Sequence, residues 1–328
     1  MPALVVPRTK EAWLRKRKQI RAQLWKLLGN LPARPKLPQV KIHSRVDRGG
    51  YFVERFEFDN GAGACVPGYL LLPKSQTKPA PAVLYCHWHA GDYALGKEEL
   101  FRAKHLPEAP GPALARRGFV VLGIDAYCFG ERNRRGPGGR SERGSAVEWS
   151  EAKLNLWLGR TLWGMMLRDE LIALDCLRRR PEVDAKRIGV LGMSMGATKA
   201  WWLMALDERI RTCVSICCLT RYQSLIQSRL LSAHGIYYFV PGLLNYFDTE
   251  AVVALLAPRP GLFLNGDQDP TSPAVGIRTI ESIARRVYRL YRRPNGFRNV
   301  VYPRQGHVCT GPMWSEALAW LERYFEPN

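Results

Sequence analysis

Ser194 lies in a Gly-x-Ser-x-Gly pattern, between Gly192 and Gly196, directly after the largely apolar run 188–191. An apolar strand that turns sharply at a serine and continues into a helix is typical of a nucleophile elbow. Glycines leave room where the turn approaches neighbouring backbone, and the strained serine projects into a cleft. The residues 198–207, rich in Ala, Leu, Met and Trp, predict the helix that follows. Ser194 is therefore the predicted nucleophile.

A serine nucleophile needs a general base, and two histidines, His234 and His307, follow Ser194 in the chain. His307 comes after the apolar and aromatic stretch 298–302, where a loop past a late strand would present a base. A surface-loop histidine is the alternative interpretation of His307. The stretch around His234 cannot be assigned to a strand end, so we interpret His234 as a substrate-region or structural histidine. His307 is the predicted base.

Asp267 and Asp269 compete for the acid that orients the histidine ring. Both follow the predicted buried strand 261–265. An orienting acid must point back toward the cleft, and the Gly-x-x-Asp pattern at the strand end in serine hydrolases selects Asp269. Asp267 is better suited to forming the turn, and it remains the alternative.

The oxyanion hole is predicted from two main-chain N–H groups, those of Met195 and His89. Met195 directly follows the nucleophile, and His89 follows the predicted strand 82–86. The loop after that strand is similar to a His-Gly-x-Gly-Gly sequence, with Trp88 where glycine is commoner.

His87 and His89 also suggest a metal site, because alternate strand residues share a face. Elsewhere in the sequence, the spacing of Cys, His and carboxylate residues does not complete such a site. We therefore predict no metal.

Several segments resemble the α/β-hydrolase superfamily, specifically its dienelactone-hydrolase-like and acetyl-xylan-esterase-like branch. The resemblance is carried by Gly118-Phe-Val-Val-Leu-Gly-Ile-Asp125, Phe129-Gly-Glu-Arg132, Gly159-Arg-Thr-Leu-Trp-Gly164, residues 179–188, Ala257-Pro-Arg-Pro260 and Gly306-His307. It covers nearly the whole chain and implies a serine esterase that needs no cofactor. The family's triad is carried over as Ser194, Asp269 and His307. Met195 departs from the many relatives that have glycine there, which narrows the site without removing the N–H.

The alternation of apolar runs predicts an α/β fold of the α/β-hydrolase type, with a mostly parallel sheet of about eight strands and helices on both faces. The predicted strands are 39–46, 51–58, 66–72, 82–86, 119–124, 187–191, 213–217, 261–265 and 299–302. The early strands suggest an antiparallel edge. The predicted helices are 112–117, 162–180, 197–206, 273–290 and 312–324, and 181–187 is predicted as a turn.

Residues 1–38 are predicted as an accessory segment, with an amphipathic helix over 9–28 that packs on the main domain and a proline-rich linker over 32–38. Residues 39–328 form the predicted catalytic domain. Within it, 219–246 is apolar enough for a partial cap or an acyl pocket, and core helix packing is equally consistent with its composition.

The loop 127–150 is the second insertion that could shape the pocket. We predict substrate contacts from five residues in these insertions or in the loop after the predicted strand 82–86: Trp88, Glu131, Arg132, Tyr222 and Tyr246.

The formal charge of +20, from 49 Lys and Arg against 29 Asp and Glu, would also suit a nucleic-acid-binding protein. The basic runs 15–18, 132–140 and 178–180 are widely separated, and no nucleic-acid-binding fingerprint accompanies them. We therefore predict a solvated surface, with no specific nucleic acid partner and no membrane insertion. The oligomeric state is left open.

The eight cysteines form neither a zinc-type CxxC pair nor a small-domain disulfide framework, so we predict buried thiols. No signal-peptide pattern and no long apolar run is seen, and a cytoplasmic location is expected. A mature secreted form whose signal has been removed is the alternative.

Together these features predict a serine carboxylic-ester hydrolase that works through an acyl-enzyme. The resemblance points to short-acyl, acetyl-type esters of small molecules or carbohydrates. A lactone or dienelactone hydrolase and a peptidase-like amidase are alternatives with the same nucleophile, and a non-catalytic basic binding protein is the second alternative.

Overall fold

The computed structural model describes residues 3–74, 79–134 and 136–325 of the 328-residue chain. Their strands form one nine-stranded sheet, in the order β1-β2-β3-β5-β4-β6-β7-β8-β9. The strands are β1 (Val40–Asp47), β2 (Tyr51–Asp59), β3 (Cys65–Pro73), β4 (Ala80–Cys86), β5 (Val120–Ile124), β6 (Val183–Met193), β7 (Thr212–Ile216), β8 (Gly261–Gly266) and β9 (Phe297–Tyr302).

Three pairs at one edge of the sheet, β1 with β2, β2 with β3 and β3 with β5, are antiparallel. The other pairs, from β5 and β4 across to β9, are parallel. The predicted mostly parallel sheet with an antiparallel edge is confirmed, with nine strands in place of about eight.

Helices cover both faces of this sheet. They are α1 (Lys10–Leu28), α2 (Pro110–Arg116), α3 (Ser145–Trp157), α4 (Leu162–Leu177), α5 (Met195–Leu206), α6 (Tyr222–Gln227), α7 (Thr249–Ala254), α8 (Ala274–Leu290) and α9 (Gly311–Phe325). Alternate side chains of β4 enter two different cores, as the pleat of a strand requires. Leu84 belongs to the core that includes residues of α4, α5 and α8, and Val83 belongs to the core that includes residues of α2 and α9. The strand is apolar on both faces because both faces are covered.

The structure differs from the predicted elements in four places: α3, the start of β6, α6 and α7. Part of the predicted loop 127–150 belongs to α3, whose apolar residues do not form a single stripe, because Val147 is buried while Trp149 is exposed. The predicted turn 181–187 lies largely in β6, since Val183 pairs with Ala80 before a register irregularity. The short helices α6 and α7 were also not predicted, because each is only six residues long.

Helix α1 packs on the main body of the protein, as the amphipathic pattern predicts. Its Trp13 and Leu24 are fully buried. The Arg21 Nε donates to the carbonyl oxygen of Ala205 at 3.0 Å, and its Nη1 lies 2.7 Å from Glu208. The division of the chain into an accessory segment and a catalytic domain remains a prediction.

Several arginines of the basic runs are committed to internal ion pairs. Arg132 lies 3.0 Å from a carboxylate oxygen of Asp169, and Arg180 contacts Glu54 and Glu182. Part of the positive charge therefore supports the fold.

All eight cysteines are free thiols, and six of them are buried. Within the described ranges, the structure contains no helix long and apolar enough to span a membrane.

Arg168 of α4 ties the proline-rich linker to the core. Its side chain is 2% exposed, and it donates to the carbonyl oxygens of Pro32, Ala33 and Asn60, each at 2.7 Å. Replacing it by methionine leaves these carbonyls without their donor. We expect Arg168→Met to lower the free energy of unfolding by about 3 kcal/mol, measured by urea denaturation. Arg179→Met, which removes an exposed arginine, is the control and should cost less than about 1 kcal/mol; equal losses would contradict the assignment.

Candidate active site

Ser194 occupies a one-residue turn between β6 and α5. Its φ of 57° and ψ of −117° are strained for a residue with a side chain. A Cβ on Gly196 would overlap the carbonyl oxygen of Cys86, and a Cβ on Gly192 would overlap the backbone of Gly196. Both flanking glycines are therefore required by close approach, as the motif predicts. The Ser194 side chain lies at the carboxyl edge of the parallel strands, in a residue that is 8% exposed.

The structure brings Ser194, His307 and Asp269 into one hydrogen-bonded chain. The His307 Nε2 lies 2.8 Å from the Ser194 Oγ, and the His307 Nδ1 lies 2.8 Å from the Asp269 Oδ2. Burial opposes ionisation of Asp269, yet the hydrogen bonds from His307 and Thr271 lower the pKa of its carboxyl below the usual value. The carboxylate therefore stays charged at neutral pH. Asp267 is exposed, and its main-chain N–H bonds to the carbonyl of Tyr302.

Thr271 is a site residue that the sequence analysis missed. Its main-chain N–H and its hydroxyl both donate to the Asp269 Oδ1, at 2.8 and 2.7 Å, and its hydroxyl oxygen lies 3.0 Å from the His307 Nδ1. An aspartate two residues before a threonine favours such an Asx-type turn, and this pattern is visible in the sequence. His234 donates from its Nε2 to the carbonyl of Thr271 at 3.0 Å, so it supports this turn.

Cys218 is a second residue that the sequence analysis did not place. Its Sγ lies 3.8 Å from the Ser194 Oγ. Burial raises the pKa of the Cys218 thiol to about 12, so the thiol stays neutral. Because a thiolate is the nucleophilic form of cysteine, Cys218 acts here as a wall beside the serine rather than as a second nucleophile.

Residues 87–92 form the loop after β4, here called the β4 loop. Its Trp88 main-chain N–H donates to the Glu99 Oε2 at 2.6 Å, and the N–H of Gly91 donates to the His89 Nδ1 at 3.0 Å. The structure gives no acceptor, among the residues it describes, for the main-chain N–H of His89. Met195 is the first residue of α5, and the first N–H groups of a helix have no intrahelical acceptor. Neither N–H group predicted for the oxyanion hole therefore has an acceptor in the part of the chain that the structure describes.

The two histidines of the β4 loop are each committed to other partners. The His87 Nδ1 donates to the carbonyl of Trp88 at 2.8 Å, and its Nε2 accepts from the N–H of Ala126 at 3.1 Å. Burial holds the pKa of His87 well below its usual value, so the ring is neutral. The His89 Nε2 lies 2.8 Å from the Glu148 Oε2. These two rings therefore do not share a metal-facing arrangement.

Cys217, Asp269 and His307 form the group of potential metal ligands found among the described residues, with ligand atoms within 4.8 Å of one another. Burial raises the pKa of the Cys217 thiol well above its usual value, which disfavours the thiolate that a metal binds. The His307 Nδ1 faces Asp269. The donor set is better matched to a triad than to a metal centre.

The residues predicted as substrate contacts separate into two groups. The ring of Trp88 lies 5.5 Å from that of His307, beside the candidate site. The other four have no contact with the triad in the described structure. Glu131 pairs with Lys97 and Arg55, and Arg132 contacts Asp169 and Tyr127. Tyr222 packs against Tyr238, and Tyr246 lines a cleft together with Leu27 and Leu156.

The segment 219–246 lies against the β4 loop. Tyr237 stacks on the ring of His89 at 5.0 Å, and His234 stacks on Tyr238 at 4.1 Å. Both tyrosines are 4% exposed and belong to the core. The segment therefore combines core packing with a wall beside the candidate site.

Glu99 is a buried carboxyl beneath the β4 loop that the sequence analysis also missed. It accepts from the Tyr85 hydroxyl at 2.8 Å as well as from Trp88. Burial raises the pKa of Glu99 to about 7, although these hydrogen bonds and Lys199 oppose the shift. The folded protein therefore keeps a proton on Glu99 that the unfolded chain loses at lower pH. This stabilisation is complete below the unfolded pKa and is lost as the pH rises through 7.

Between pH 5 and pH 8, we expect the free energy of unfolding of the wild type to fall by about 2–3 kcal/mol more than that of Glu99→Gln. The reason is that only the wild type titrates at this position. Urea denaturation across that pH range is the measurement. Glu98→Gln, at the partly exposed neighbour, is the control and should follow the wild type. Parallel curves for wild type and Glu99→Gln would rule out the raised pKa.

Comparison with known proteins gives the chain its family. The model of the Abhydrolase family matches residues 4–308. A curated protein from Bacillus subtilis (strain 168), "Putative hydrolase YtaP", is 37% identical over 310 residues, covering 94% of this chain and 99% of that protein.

Two solved structures share the fold. A "putative acetyl xylan esterase (BF1801)" from Bacteroides fragilis NCTC 9343 superposes with a TM-score of 0.74 at 21% identity, over 92% of this chain and 78% of that one. A glucuronoyl esterase from Solibacter usitatus gives 0.73 at 16% identity, over 99% and 98%. These neighbours confirm the α/β-hydrolase architecture predicted from the sequence. The chain belongs to the Abhydrolase family, and it is a hydrolase with the α/β-hydrolase fold.

Proposed function

We propose that this hydrolase is a serine carboxylic-ester hydrolase that acts through an acyl-enzyme on short-acyl esters of small molecules or carbohydrates. The observation that carries the proposal is the continuous hydrogen-bonded chain from the Ser194 hydroxyl through His307 to Asp269, with both contacts at 2.8 Å. Such a chain is the arrangement that activates a serine for acyl transfer.

The first half of the reaction forms the acyl-enzyme. Because Asp269 is ionised, it accepts from the His307 Nδ1–H, which leaves Nε2 free to take the proton of the Ser194 hydroxyl. The Ser194 Oγ attacks the ester carbonyl carbon, and Asp269 stabilises the imidazolium that forms. His307 then gives its proton to the leaving alcohol.

The tetrahedral oxyanion would be held by the main-chain N–H groups of Met195 and His89. Neither has an acceptor among residues 3–74, 79–134 and 136–325, and such preorganised donors act where negative charge develops. Each is expected to contribute about 3 kcal/mol to transition-state stabilisation. Water then repeats the sequence on the acyl-enzyme, releasing the acid and restoring Ser194.

A short acyl group is favoured by the crowding around the nucleophile. Ser194 is 8% exposed, Cys218 Sγ lies 3.8 Å from its hydroxyl, and Trp88 lies beside the base. The names of the structural neighbours, acetyl xylan esterase and glucuronoyl esterase, add carbohydrate esters as a substrate class to test.

The primary test compares hydrolysis of para-nitrophenyl acetate and its longer-chain homologues by wild type and Ser194→Ala. We expect wild-type activity to fall with chain length, and Ser194→Ala to lose at least about 10³-fold in kcat. Activity that persists in Ser194→Ala would refute the nucleophile. A wild type inactive on esters, but active on lactones or amides, would move the function to one of those bonds.

The acid is tested by a matched pair of aspartate substitutions. Asp269→Asn should lower kcat by about 10³–10⁴-fold, because an amide at this position favours the wrong imidazole tautomer and leaves the imidazolium without its counter-charge. Asp267→Asn changes an exposed neighbour and should stay within about threefold of wild type. Steady-state kinetics on para-nitrophenyl acetate decide between them, and the reverse order would assign the role to Asp267.

A further inference from the structure

We infer that Glu148 is a positioning residue, which acts through His89 to hold the β4 loop in the geometry that presents the His89 main-chain N–H to the oxyanion. The inference rests on the proposed function and adds a residue on α3 to it.

The tautomer of His89 follows from its two partners. The Nδ1 accepts the main-chain N–H of Gly91 at 3.0 Å, so it carries no proton, and the proton must lie on Nε2. The Nε2–H then donates to the Glu148 Oε2 at 2.8 Å. The hydroxyl of Tyr93 donates to the same carboxylate oxygen at 3.1 Å. The Glu148 carboxylate therefore accepts from a ring within the β4 loop and from the residue directly after that loop.

Aromatic contacts fix the ring of His89 in its plane. Tyr237 stacks nearly parallel to it, at 5.0 Å and 24°, whereas Phe129 and Tyr93 present their edges, each at 5.0 Å. The hydrogen bond from Gly91 makes the ring part of the backbone turn. A rotation of the ring would therefore also move the main chain of residue 89, including its N–H.

Glu148 is suited to this role because its own position is fixed. It is 1% exposed, on the buried side of α3. A Cβ on Gly235 would lie 2.7 Å from the Glu148 Oε1, so the main chain of the segment 219–246 closes over the carboxylate. The carboxylate thus joins three segments that are distant in sequence: the β4 loop, α3 and 219–246.

The two supports of the β4 loop act on neighbouring residues. Glu99 holds the main-chain N–H of Trp88 from beneath, and Glu148 holds the ring of His89. The N–H between these two anchors is the one left without an acceptor among the described residues. This arrangement is what a preorganised donor needs, because its orientation is then set before the substrate binds.

The test compares an ester with the matching thionoester, para-nitrophenyl acetate against O-(4-nitrophenyl) thionoacetate. A thiocarbonyl sulfur is a weaker hydrogen-bond acceptor than an oxygen, so the thionoester depends less on oxyanion-hole donors. We expect Glu148→Ala to lower kcat on the ester by about 10²-fold, with KM within about threefold, and to lower kcat on the thionoester much less. The ester-to-thionoester rate ratio should therefore fall.

Three further variants make the result specific. Glu148→Gln keeps a carbonyl acceptor for the His89 Nε2–H and should recover most of the wild-type ratio. Glu148→Asp keeps the carboxyl group but shortens the side chain, and it should lower the ratio. This variant also tests the inference if Glu148→Ala does not fold. Glu151→Ala removes a carboxylate from the same helix with no contact to His89, and it should leave the ratio unchanged.

The inference is overturned if Glu148→Ala and Glu148→Asp keep the ester-to-thionoester rate ratio of wild type, whether both rates fall equally or neither rate falls. Failure of the proposed function looks different: wild type would then lack ester hydrolysis, or Ser194→Ala would retain it. If hydrolysis depends on Ser194 while the ratio is insensitive to Glu148, only the positioning role is lost.

Discussion

The reversal of the chain at Ser194 is the constraint on which the rest of the site depends. Because β6 ends at the residue before Ser194 and α5 begins at the residue after it, the whole turn falls on one strained residue with a φ of 57°. The turn holds because the start of α5 can approach β4, where Gly196 meets the carbonyl of Cys86 without a side chain between them. Since the β4 loop begins directly after Cys86, the same contact places the start of that loop beside the start of α5.

The parallel order of the strands explains how much of the site could be predicted from the sequence. Ser194 follows β6, Asp269 follows β8 and His307 follows β9, and the carboxyl ends of these strands lie on one edge of the sheet. Each of those residues follows an apolar run that is recognisable on its own. The central strands β4, β5, β7 and β8 were predicted for the same reason, because a strand buried on both faces is a continuous apolar run.

The supports of the site could not be predicted, because their partners are distant in the chain. Glu148 reaches His89 across 59 residues from a helix with no single apolar stripe, and the acidic side chain has no local pattern that separates it from its exposed neighbours. Glu99 lies in a short 3₁₀ stretch, where a carboxyl is ordinarily solvated. Arg132 lies in a Gly-rich loop, and its ion pair with Asp169, 37 residues further along the chain, likewise depends on tertiary packing. Thr271 alone had a local signal.

Asp269 and Glu99 show that burial alone does not decide the charge of a carboxyl in this site. Both are almost fully buried, at 3% and 1% exposure. Asp269 accepts from the imidazole of His307 and twice from Thr271, and its pKa is lowered, whereas Glu99 accepts from two neutral groups and its pKa is raised to about 7. A triad acid must stay charged to stabilise an imidazolium, so it needs the richer set of donors. Glu99 only has to accept the N–H of Trp88, which a neutral carboxyl can also do through its carbonyl oxygen. The donors around Asp269 therefore outweigh its burial, whereas burial prevails at Glu99, and this difference separates the carboxyl suited to the chemistry from the one suited to holding the loop.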